Sequence, residues 1–271
     1  MMKDRQDGMT RRHYLSATGV GAFAQQVISG IKLPDSQIAR EATELVRQHE
    51  PEILFNHSVR VYVFGAMKGT RQNIKFDPEL LYVAALFHDL GLLDMYHTET
   101  KRFEVDGADA AREFLRSHGI AELKADLVWE AIALHTTPGV PQYMHPEIAL
   151  TQAGVLVDAL GTGYDDYTPE QRDQVIATFP RGDDFKSEFI ELQTRSALKK
   201  PTTTFGTVNL EYIECRDPTF RRPQNVCAAT RPGIAEPWWA FISAESGRAA
   251  LAASRTTAGN LLRRTRYCLD R

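Results

Sequence analysis

The sequence predicts an all-α protein, a helical bundle with polar groups in its core and an irregular C-terminal extension. Three observations carry that expectation. Apolar residues recur at three- and four-residue spacing, Pro and Gly stand at the joints, and no stretch alternates apolar with polar residues as a half-buried strand does. With 271 residues, 43% hydrophobic and 25% charged, the chain is long enough for one domain with a sizeable core. A formal charge of -3 gives no argument for nucleic acid, and no apolar run reaches membrane-spanning length.

Read in order, the first element is "TRRHYLSATGVGAFAQ", with paired Arg11 and Arg12, a weakly apolar stretch and a small-x-small ending. It resembles a twin-arginine export signal, which a receptor reads and which is no anchor. Residues 1–24 are thus expected to be a leader and the protein periplasmic or exported, with a cytoplasmic protein bearing a basic arm as the alternative.

Helical signals follow. "PDSQIAREATELVRQHE" has a cap at Asp35 or Ser36 and stops before Pro51, which opens "PEILFNHSVRVYVFGAMKG". Asp77 and Pro78 start "DPELLYVAALFHDLG", with Gly91 as its terminator. "DGADAAREFLRSHG" repeats that grammar from Asp106 to Gly119, and "AELKADLVWEAIALHTT" runs up to Pro138. "PEIALTQAGVLVDALG" spans Pro146 to Gly161, and "TPEQRDQVIATF" and "DDFKSEFIELQTRSALKK" are two more helices. Beyond Pro201, "PTTTFGTVNLEYIECRDPTFRRPQNV" reads as an irregular segment over the bundle, and residues 226–271 as a peripheral or disordered tail. Cys215, Cys227 and Cys268 have no CxxC spacing, so free thiols are the default reading.

Several of these helices carry polar residues on apolar faces. His57 shares a face with Ile53, Val61 and Phe64; His88 and Asp89 close a greasy helix; Asp158 lies in "GVLVDALG" with nothing basic near it in sequence. A lone core histidine is ordinarily just hydrogen-bonded, but two buried carboxylates and two imidazoles on facing helices suit a divalent transition metal, which offsets their burial.

"FNHSVRVY", "LFHDLG" and "LVDALG", in that order, resemble the HD-domain metalloenzymes, an all-helical superfamily named for its adjacent His-Asp pair. The resemblance implies an HD-domain helical bundle over residues 35–225, with His57, His88, Asp89 and Asp158 as metal ligands and zinc or iron as the cofactor. "NHSVRVY", "KRFEVDGADA" and "TTFGTVN" are most similar to the cyanamide hydratase-like group, which adds water to a nitrile-like carbon and releases urea. The implied protein is therefore a metal-dependent hydrolase or hydro-lyase acting on a small molecule through a metal-activated water.

Two alternatives stay open, a phosphohydrolase and a binuclear di-iron oxygenase. The lysine that many phosphodiesterases of the superfamily carry after the pair is Leu92 here, and the acidic pair of other members is Leu92 and Leu93. Arg60 and Arg102 remain as cations for a phosphate, although by default both are solvated surface residues. His135, near the second-metal position of binuclear members, reads as a ligand, a substrate-facing group or a core residue, and with Arg60 it is a candidate catalytic group. Thr98, Glu104 and His145 are candidates for shaping or lining the substrate pocket, and His118 reads as structural at a helix end.

Overall fold

The computed structural model describes residues 26–220, apart from residues 205 and 218. Residues 1–216 form one unit and 217–271 a second; every element below belongs to the first. The expected leader at 1–24 and tail at 226–271 lie outside the described residues.

Two residues of ladder precede the helices. β1 (Val27–Ile28) and β2 (Ile31–Lys32) pair antiparallel through Ser29 and Gly30, both at positive φ, the backbone a two-residue hairpin requires. Then come α1 (Gln37–His49), α2 (Glu52–Arg71), α3 (Pro78–Phe87), α4 (Phe103–Ser117), α5 (Glu122–Ala133), α6 (Pro146–Leu160), α7 (Pro169–Thr178), α8 (Phe185–Lys199) and α9 (Asn209–Arg216). Asp77 caps α3 as expected, Ser36 is the one of the two expected candidates that caps α1, and Thr168 caps α7, all through side-chain oxygens.

The core is built on α2, α3 and α6. Every residue of α3 from Leu80 to Phe87 is buried, and nearly all of α2 from Leu54 to Met67. Such all-round burial fits helices enclosed by neighbours rather than lying on a surface. α2 and α6 meet backbone to backbone: a Cβ on Gly154 would overlap the Val61 carbonyl oxygen, and one on Gly65 would lie 2.5 Å from that of Leu150. This close crossing brings His57 on α2 beside Asp158 on α6.

Four expected boundaries are corrected. α3 ends at Phe87, so His88 and Asp89 lie past its last residue, and a 3-10 turn follows at Leu90–Leu92. Gly91 does not terminate a helix; it lets the backbone press on α4, where a Cβ would collide with the Phe103 carbonyl oxygen. α4 begins at Phe103, three residues before Asp106, whose carboxylate turns inward to Lys200. α5 stops at Ala133, which leaves His135 in a turn. The segment after Pro201 is not irregular throughout, because α9 folds there and packs on α8.

Candidate metal centre

His57 comes from the buried middle of α2, His88 and Asp89 from the exit of α3, and His135 from the turn after α5. All four are buried. The His57, His88 and Asp89 ligand atoms lie within 4.8 Å of one another, the one such group among the described residues that could hold a metal ion. His57 Nε2 is 3.3 Å from His88 Nε2 and 3.7 Å from Asp89 Oδ2, and His88 Nε2 is 3.2 Å from the same oxygen. On the other side, His135 Nε2 is 3.8 Å from Asp89 Oδ1.

The outer contacts of the three rings fix what they present inward. Nδ1 of His88 donates to the Ala85 carbonyl at 2.7 Å, and Nδ1 of His135 donates to the Ile132 carbonyl at 2.7 Å. Nδ1 of His57 donates to Asp158 Oδ2 at 2.6 Å. With Nδ1 protonated in each ring, every neutral imidazole turns an Nε2 lone pair towards Asp89. Neither Asp89 oxygen receives a hydrogen bond of good geometry, although both are buried.

So many converging lone pairs demand a cation. Although burial pulls the imidazole of His88 down, the neighbouring carboxylate outweighs it and holds His88 above its ordinary value. Burial opposes the ionised form of Asp89, yet His88 and the other imidazoles bring it down to about 2. A proton on His88 supplies the positive charge, or a divalent ion takes its place. Imidazole nitrogens and a carboxylate are the donor set such an ion accepts, and outer hydrogen bonds of this type orient metal-binding histidines. The residues therefore fit a metal.

Asp158 stands apart from this group. Its carboxylate takes His57 on one side and two arginines on the other: Arg60 Nε to Oδ1 at 2.9 Å, Arg60 Nη2 to Oδ2 at 2.8 Å, and Arg181 Nη2 to Oδ1 at 2.8 Å. Although burial opposes ionisation, these partners hold the carboxyl well below the usual range. The structure thus places Asp158 behind His57, and the missing basic partner is supplied from α2 and from the loop before α8.

Arg60 is not the solvated residue expected by default; it is fully buried, stacks over Phe185 and is not among the residues that line the cavity over His88. Arg102 pairs with the buried Glu104, which also accepts from Thr136 at 2.5 Å. Glu104 does not itself line the cavity, but its partner Thr136 does. Thr98 is not on the cavity either: its hydroxyl and backbone N–H both bind Asp106, whose other partner is Lys200. His145 is exposed and precedes α6 as its cap residue, away from the cavity lining. His118 is structural as expected, joining the end of α4 to Glu41 of α1 at 2.6 Å.

A cavity of about 280 Å³ opens over His88, Asp89 and His135. Its far walls come from α6, α8 and α9, including Val155, Phe189, Gln193 and Tyr212. Gln193 and Tyr212 were missed in the sequence because nothing around either residue marks it as functional. A second missed group is Glu50, buried after α1, with Ser58 donating to one oxygen at 3.3 Å and the other oxygen unpartnered. Burial, reinforced by the charge of Asp89, pushes the Glu50 carboxyl well above its usual range.

Comparison with known proteins agrees with this geometry. Residues 54–174 match the HD domain family. The chain is 28% identical over 152 residues to each of two Saccharomyces cerevisiae proteins, cyanamide hydratases DDI2 and DDI3, covering 55% of this chain and 68% of each relative. No helix among the described residues is long and apolar enough to cross a membrane.

Proposed function

We propose that the chain, whose residues 54–174 match the HD domain family and which is 28% identical to two cyanamide hydratases, is a metal-dependent enzyme that hydrates the nitrile carbon of a small neutral molecule. The carrying observation is the composition of the cavity. Among the described residues its lining includes no lysine and no arginine. Arg60 and Arg181 are committed to Asp158, and Arg102 to Glu104. Apart from the metal centre itself, the described walls offer a phosphoester's anionic oxygens no lysine or arginine, whereas a nitrile brings no charge that needs one. Leu92 and Leu93, in place of polar groups after the His-Asp pair, are buried and apolar, so they offer a phosphate no polar contact.

In this reading His57, His88 and Asp89 hold the metal, zinc or iron, and Asp158 orients His57 from behind. Such an ion lowers the pKa of a bound water and polarises the atom under attack. His135 then has a defined part. Burial, with the nearby His88 adding to it, brings the imidazole down to about 4, so it is neutral at pH 7. Because its Nδ1 is tied to Ile132, its free Nε2 accepts a hydrogen bond from the attacking water and aims the oxygen. The water oxygen bonds to the nitrile carbon while one proton passes to the nitrile nitrogen. A second proton shift from oxygen to nitrogen gives the amide, and nothing leaves.

Urea formation from cyanamide by metal-loaded protein tests this, with His88→Ala as the control. Urea that appears with the wild type and disappears with the variant supports the assignment. Absence of urea from protein holding stoichiometric metal rules out cyanamide as the substrate.

A further inference from the structure

Resting on the hydratase reading, we propose that the natural substrate is an N-substituted cyanamide, with an apolar substituent in the cavity and its N–H donated to Gln193. Size is the first ground. The cavity encloses about 280 Å³, the share of roughly nine waters at about 30 Å³ each, whereas cyanamide fills the room of about two. The second is the character of the walls: Val155, Leu156 and Ala159 of α6, Phe189 of α8 and Val208 are apolar. An apolar wall opposite a polar floor suits a molecule with a reactive polar end and an apolar body.

Gln193 supplies the third ground. It is 4% exposed, it lines the cavity, and its Oε1 is buried with no donor. A buried acceptor left without a donor is costly, and a site built to bind a substrate N–H discriminates strongly against analogues that lack it. In R–NH–C≡N the nitrile carbon lies next to the N–H, so one molecule can present its carbon to the His135 side and its N–H to α8. Hydration bonds the water oxygen to that carbon and moves both water protons to the former nitrile nitrogen. The product is R–NH–C(=O)–NH2, with no oxidant and no leaving group.

The test uses metal-loaded full chain, N-alkylcyanamides from methyl to butyl as substrates and the matching N-alkylureas as calorimetric ligands. Affinity for the ureas should rise about three- to fourfold per methylene, with kcat/KM for the cyanamides rising in parallel. Gln193→Leu, close in shape, should weaken every member about tenfold or more at unchanged metal content and melting temperature. Val155→Phe should remove the dependence on chain length. Affinity that is flat or falls with length overturns the proposal, as does wild-type affinity in Gln193→Leu. Turnover of cyanamide with no gradation keeps the hydratase reading and overturns only this one. Graded, Gln193-dependent binding with no turnover of any cyanamide supports the shape assigned to the ligand and overturns hydration.

Discussion

Asp158 Oδ2 stands 2.6 Å from Nδ1 of His57, and this single contact turns the other nitrogen of the ring towards His88 and Asp89. The carboxylate that holds the imidazole is itself held by Arg60 and Arg181. Asp158→Asn should therefore weaken metal binding by about 10- to 100-fold without abolishing it, the usual effect of losing an outer partner. A competition titration against a chelator measures this. Complete loss of metal, equal to that in His88→Ala, would make Asp158 a direct ligand instead.

His88→Ala removes one of the three closest ligands and should leave no stoichiometric metal by elemental analysis. The far-ultraviolet circular dichroism should keep its helical form, because His88 lies outside α3 and α4. Metal retained at one equivalent in this variant would sink the ligand assignment.

Metal uptake should depend on pH with a definite sign. His88 is held above its ordinary value by Asp89, so below that raised pKa a proton occupies the place of the ion. Affinity should fall as the pH is lowered, and binding near neutrality should release protons. Calorimetry in buffers of different ionisation enthalpy counts them, and a count of zero contradicts the arrangement.

Glu50 offers an independent stability test. Its folded pKa is raised, so the folded state binds its proton more tightly than the unfolded one. The stability linked to that proton is complete below the unfolded value and is lost as the pH rises towards the folded one. Glu50→Gln keeps the shape without the ionisation. Its melting temperature relative to wild type should therefore improve from pH 5 to pH 8, and an unchanged difference across that range refutes a buried neutral acid.

Two substitutions probe the scaffold. Lys200→Met leaves Asp106 buried without its cation and should cost about 3–5 kcal/mol in denaturant unfolding. Gly154→Ala forces a methyl group onto the Val61 carbonyl and should cost about 1–3 kcal/mol. Wild-type stability in Gly154→Ala would show that α2 and α6 can part without loss.

Much of this molecule was legible in the sequence, because the signals concerned are local. A cap acts within a few residues of itself, so Asp77 starts its helix as written and Ser36 was one of two candidates for α1. A continuous buried face needs only its own periodicity, which made the all-α bundle readable, and a polar residue on such a face stands out before any fold is known. His57, His88, Asp89 and Asp158 were singled out in that way. Their division of labour was not, because it depends on which groups approach from elsewhere in the chain. Arg181 is distant in sequence from Asp158, and Lys200 is more distant still from Asp106. The close crossing of α2 and α6, the press of Gly91 on α4 and the placing of Gln193 over the cavity are likewise contacts between remote segments. Sequence determined which groups are costly to bury; the tertiary structure alone decided which partner offsets each one, since burial is a property of a residue's own segment and pairing is a property of the packed whole.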